Sequence, residues 1–339
     1  MRQSLHRSFL GLVLALVPVA VSAQGRCDRA CLRTALDQYL TAVIAHDPAK
    51  APLLIGFRQT ENAVAVPLGA GVWKTVTGLG ALQRRYLDPV SGQAAYFGIV
   101  QEGAASAIVT VRVRIEDRKI TEAEWYLARQ GDPGLNPGRG GNLFDPDYLA
   151  MNPPPERVPA AQRVSRASAA AIVNSYFDGI SSHNGAVVLA HPGCTRVENG
   201  TLMTGGRRGG GAGARAGTPP SATPSSPPAS TDCVAGFTTI NIQFVAARRI
   251  PVIDEEAGIV LATAVFIRPP GSPNPRNAFA EWFVIDDGKI RNIYSAMFYP
   301  PAALPVPNWP PYEGNWPLPM SVVPSTTGAA PLSGAAAQN

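Results

Sequence analysis

Between Cys27 and Ala45 the apolar side chains Leu32, Leu36, Tyr39, Leu40, Val43 and Ile44 recur at helical spacing, which predicts an amphipathic helix. His46-Asp47-Pro48 ends it, because the residue before a proline is pushed out of the α region. Further on, the pattern predicts a strand over 57–66, a short helix over 79–86 and three consecutive strands over 93–102, 106–116 and 120–129. In the second of the three, Val109, Val111, Val113 and Ile115 share one face and Thr110, Arg112 and Arg114 the other, as in a half-buried antiparallel sheet.

The chain then repeats itself. The segments Tyr39–Asn62 and Tyr176–Asn199 share Tyr39/Tyr176, His46/His183, Glu61/Glu198 and Asn62/Asn199 at one constant separation. A helix over 164–181 and strands over 194–201, 241–248, 259–268, 279–286 and 290–298 follow in the same order. The turn Asp117-Arg118-Lys119-Ile120 returns as Asp287-Gly288-Lys289-Ile290. Two units are therefore expected, over 27–130 and 164–300, joined by a Gly/Pro/Asn-rich linker over 131–163. The glycine- and serine-rich stretch 205–232 is expected to be a disordered insert in the second unit. A Pro/Trp-rich tail over 301–339 carries Trp309, Tyr312 and Trp316 and is expected to lose order after Ser321.

Residues 1–23 have Arg2 and Arg7 before an apolar run and a Val21-Ser22-Ala23 cut site, the form of a secretory signal cleaved after Ala23. The run is too short for a stable membrane span, so the mature chain is expected to be secreted or periplasmic, with a retained N-terminal anchor as the alternative. An even count of four cysteines in an exported chain favours disulfides; three connectivities are possible, of which Cys27–Cys31 with Cys194–Cys233 is favoured because the second bridge would staple the base of the insert. The formal net charge is +5, but the arginines are scattered, which argues against nucleic-acid binding.

Helix, kinked strand ending in an acid, then a run of long antiparallel strands, present twice with His46-Asp47/Glu61-Asn62 and His183-Asn184/Glu198-Asn199, resembles the nuclear transport factor 2-like (SnoaL-like) superfamily. The resemblance implies an α+β fold of two cone-shaped domains in tandem, helices packed on a curved antiparallel sheet. It also implies a cavity between sheet and helices, where enzymes of the superfamily place an acid or a histidine.

Glu61 and Glu198 are the first candidates for such an acid, although a Glu-Asn pair needed twice equally suits a bend fixed through backbone amides. His46 and His183 follow helices, as a capping cation or as a base. His191 occurs in the second unit alone and would join His183 and Glu198 in an acid–base cluster. Glu281 lies between Phe279 and Phe283 on a strand apolar on both faces, so it must be paired, with Arg268 or Arg291, or neutral as a general acid. Tyr39, Asn62, Trp73, Tyr176, Asn199, Trp282 and Tyr294 are candidate ligand walls.

No G-x-S-x-G, Walker loop, dinucleotide fingerprint or H-E-x-x-H occurs, so no cofactor and no metal is expected. The expected function is an exported small-molecule-binding or envelope-associated protein, non-catalytic, taking a small apolar or partly polar organic ligand and free to form a homodimer. The alternative is a cofactor-independent lyase, isomerase or hydrolase.

Overall fold

The computed structural model describes residues 27–134, 142–204, 231–272 and 276–300. The expected signal segment, most of the insert and the tail lie outside the described residues.

In the first half, α1 (Arg29–Ile44) starts at Asp28, whose carboxylate accepts from the Cys31 amide. There follow β1 (Leu53–Glu61), β2 (Val64–Val66), α2 (Val72–Thr75), β3 (Gly78–Asp88), β4 (Gln93–Glu102), β5 (Ala105–Glu116) and β6 (Lys119–Arg129). The connection contains α3 (Pro146–Met151). The second half comprises α4 (Arg166–Ser181), β7 (Ala190–Glu198), β8 (Thr201–Leu202), β9 (Phe244–Asp254), β10 (Ile259–Ile267), β11 (Arg276–Asp286) and β12 (Lys289–Phe298). Each half is a six-stranded mixed sheet, ordered β2-β1-β6-β5-β4-β3 and β8-β7-β12-β11-β10-β9. The pairings are antiparallel except β1 with β6 and β7 with β12. The fold is thus α+β in two similar halves.

Several expectations change: the strand expected over 194–201 divides at Asn199 into β7 and β8, and the one expected over 241–248 is β9. Residues 79–86 form β3, not a helix; a register shift against β4 between Leu79 and Gln83 spaces Leu79, Leu82 and Tyr86 in a way that imitates a helical stripe. The strand expected over 57–66 breaks at Asn62 and Ala63, which have φ 48 and 64, and doubles back as β2. Within the expected linker, Leu149 of α3 and Val158 are buried in the core shared by the halves.

One face of each sheet lies on its own helix, and the other faces meet. Trp282 of β11 sits 4.9 Å from Tyr86 and 6.0 Å from Phe97 between ring centroids, and donates to Thr110 Oγ1 across the seam at 2.8 Å. Arg249 forks onto Glu124 with two bonds of 2.8 Å, and Arg112 donates to Glu124 and Glu122. The halves also exchange reciprocal latches. Arg29 at the start of α1 holds Asp254 at the end of β9, and Arg166 at the start of α4 holds Asp88 at the end of β3. Asp254 accepts the Leu87 amide while Asp88 accepts the Ile253 amide, so the seam has the self-complementary form of a two-fold dimer within one chain.

Both expected disulfides, Cys27–Cys31 and Cys194–Cys233, are formed. They are compatible with an exported protein. Among the described residues no helix is long and apolar enough to cross a membrane.

Candidate functional site

The repeated residues divide between backbone geometry and the helix-covered face of the sheet. His46 and His183 have φ 55 and 54 and hydrogen-bond the carbonyls of Trp73 and Ile242. Asn62 and Asn199 have φ 48 and 46, and their side-chain oxygens accept from the Leu127 and Met297 amides. These four hold the bends at the ends of the helix and strand in each copy. His191 pairs with Asp286, at 2.6 Å, and with Arg291 nearby, rather than with His183 and Glu198. Trp282 and Tyr294 are on the sheet face that packs against the first half.

What distinguishes the copies lies on the row of side chains that crosses each sheet beneath the helix. In the first half the register puts Glu61, Trp125, Val111 and Tyr96 side by side on β1, β6, β5 and β4. In the second half the same row on β7, β12, β11 and β10 reads Glu198, Ser295, Glu281 and Ala262. Two large aromatic side chains are exchanged for small ones, and a carboxylate stands where valine was. Bulk is added on the flanking rows, where Val113 and Val109 correspond to Phe283 and Phe279. Glu281 therefore lies in a buried trough of the sheet between Phe279 and Phe283, whose rings pack on Tyr176 and Phe177 of α4.

The first-half row is closed by its own hydrogen bonds. Tyr39 hydroxyl donates to Gln59 Oε1 at 2.8 Å and accepts from Trp125 Nε1 at 2.9 Å, while Trp73 Nε1 donates to the same Gln59 oxygen. Gln59 in turn donates to Glu61, which also accepts the Val72 amide. Burial raises the Glu61 pKa, and those two donors pull it back.

The second-half row is not closed. Arg196 replaces Gln59 and donates to Glu198 at 2.6 Å; Tyr299 hydroxyl donates to the other Glu198 oxygen at 2.5 Å. Tyr176, the counterpart of Tyr39, has lost both partners, since Gln59 has become Arg196 and Trp125 has become Ser295. Its hydroxyl, both oxygens of Glu281 and Arg196 Nε make no hydrogen bond, although all are shielded from solvent. Arg196 Nε is 4.0 Å from Glu281, an ion contact too long for a hydrogen bond. Glu281 is 0% exposed. Burial pushes its pKa up to about 7, opposed by Arg196 and reinforced by Glu198. The arginine expected beside it is thus Arg196. Arg268 instead donates to Asn277, and Arg291 to Asp286. A buried carboxyl, a phenol and a guanidinium nitrogen without hydrogen-bond partners thus lie together beneath α4.

No local pattern singles out Arg196, Ser295 or Tyr299. Aligning the two Asp-x-Lys-Ile turns places Val111 opposite Glu281 and Trp125 opposite Ser295, so the substitution of the row was available from the repeat. Its meaning required the sheet register, which puts Glu198, Ser295 and Glu281 side by side.

A family profile for a domain of unknown function, DUF8021, matches residues 162–297. That range holds the trough and leaves out the first half. No curated protein matches the chain. Among solved structures, a protein of unknown function with a cystatin-like fold from Methylobium petroleophilum PM1 is similar at 14% identity and a TM-score of 0.27, over 45% of this chain and 86% of that one. The α+β description therefore rests on the strand order and pairing given above. Among the described residues no group of His, Cys, Asp and Glu is arranged to hold a metal ion.

Proposed function

We propose that the chain is an exported small-molecule-binding protein of two nuclear transport factor 2-like domains, in which the second alone keeps a ligand seat. The observation that carries this reading is the set of buried, unpartnered polar groups on Tyr176, Arg196 and Glu281. Each buried orphan costs roughly 1–3 kcal/mol, and the first copy shows that the fold can satisfy the same tyrosine internally. Tyr176 and Arg196 offer donors and Glu281 offers acceptors or, when protonated, a donor. A neutral group with a donor beside an acceptor suits them, such as an amide, a carboxylic acid or adjacent hydroxyls.

A fragment screen by thermal shift tests this on the wild-type protein and on a variant that rebuilds the first-half row, Glu281→Val with Ser295→Trp. Fragments of the stated class should raise the melting temperature of the wild type and leave the variant unmoved. If no fragment binds, or if the variant binds as well as the wild type, the reading fails.

One observation favours catalysis as a second reading. A carboxyl titrating near 7 in an apolar trough can take up and return a proton near neutrality, as a cofactor-independent lyase, isomerase or hydrolase would require of it.

A further inference from the structure

A groove of about 360 Å³ opens along the seam between the halves, away from the trough and sharing none of its residues. Five of its lining side chains are arginines: Arg29 and Arg33 of α1, Arg84 and Arg85 of β3, and Arg157 after α3. The acids that line it are Asp254 and Glu156.

Arg29 is occupied by the latch to Asp254 and also contacts Glu256 at 3.1 Å. Arg85 is held by Asp37. The other three are loosely engaged. Arg33 comes no nearer than 3.8 Å to Asp37, and Arg84 spends Nε on the Pro154 carbonyl while lying 3.8 Å from Glu156. Arg157 is exposed and makes no hydrogen bond or ion pair among the described residues.

The second copy of the repeat lacks most of these charges. Of the paired positions across the seam, Arg29 recurs as Arg166, which makes the matching latch to Asp88. Arg33, Arg84 and Arg85 correspond to Ala170, Ile250 and Pro251, and Arg157 belongs to the connection, which lines this side of the seam. Positive charge has been added to one side of a nearly symmetric seam, in a concavity of the size that holds small ligands.

We propose that this groove binds an oligoanion, a molecule with two or more carboxylate, sulfate or phosphate groups, gripped by the forked N–H donors of Arg33, Arg84 and Arg157. The ligand is either a free polyvalent anion or a segment of an acidic saccharide chain, which present the same oxyanions.

Calorimetric titration of the full chain with citrate, inorganic pyrophosphate and oligogalacturonate, at low and at physiological salt, tests the proposal. The variant Arg33→Glu with Arg157→Glu alters two exposed side chains, and its melting temperature checks that it is folded. The control, Lys50→Glu with Lys74→Glu, makes the same change of charge beyond the other end of α1. At least one probe should bind with about tenfold lower affinity to the arginine variant and near-normal affinity to the control. Citrate or pyrophosphate binding without oligogalacturonate identifies a free anion, and the reverse identifies a chain. Absence of binding by all three probes, or equal losses in variant and control, would overturn the site. The trough variant of the preceding section should bind these probes normally, so failure here and failure there are distinct results.

Discussion

Glu281 shows how one side chain changes meaning with its surroundings. At the same place in the first sheet Val111 needs only packing, whereas Glu281 must shed its charge or find donors. Its pKa, raised from 4.5 to about 7, means that the folded chain holds the proton more tightly than the unfolded chain. Its contribution to stability is then complete below about pH 4.5 and is lost as the pH rises through about 7. Wild-type stability should fall by roughly 3 kcal/mol relative to Glu281→Gln over that interval. Paired thermal melts across the interval measure this, and parallel curves would show that Glu281 does not titrate as stated. The repeated residues behave otherwise. His46, His183, Asn62 and Asn199 sit at positive φ in both copies and are explained by backbone geometry.

At the scale of elements, the ends of β3 and β9 dock on the starts of α4 and α1 through two aspartates with matching partners. Asp88 is buried and accepts from the Ile253 and Ser91 amides as well as from Arg166. Burial acts to raise its pKa, but these donors outweigh it and hold the carboxyl below its usual range. Asp88→Ala leaves those amides and a guanidinium unpaired and should cost roughly 3 kcal/mol, as should Asp254→Ala. Denaturant unfolding of the single and double variants checks both the size and the additivity. Losses under roughly 0.5 kcal/mol would mean that the latches do not hold the halves together. The strands themselves were legible where they were long and regular, as with β4, β5 and β6. β3 was misread because a register shift hides its period from any reading of one strand alone.

For the whole molecule, the face shared by the two sheets adds a third buried cluster that joins the cores of the two halves. Its charged centre is Glu124, buried between Arg112 and Arg249. Burial alone would raise the Glu124 pKa, but the two guanidiniums outweigh it and lower it to about 2. Such a group adds stability above about pH 4.5 and loses it as the pH falls toward 2. Glu124→Gln should be less stable by roughly 3–5 kcal/mol at neutral pH and should lose less on acidification than the wild type. Acid titration followed by tryptophan fluorescence reads both, and an unchanged acid midpoint would count against the assigned role.

The sequence by itself determined that the chain is duplicated, where β4, β5, β6, β10 and β12 run, that its four cysteines suit disulfides and that Glu281 is buried on a strand apolar on both faces. These follow from local periodicity and from residue identities set beside their own repeat. Only the tertiary structure decided that Arg196, not Arg268 or Arg291, lies beside Glu281, that Trp282 and Tyr294 face the other half, and that one row of side chains is closed in the first copy and open in the second. Those facts depend on strand register and on the packing of one sheet against another, which bring together residues that no local pattern relates.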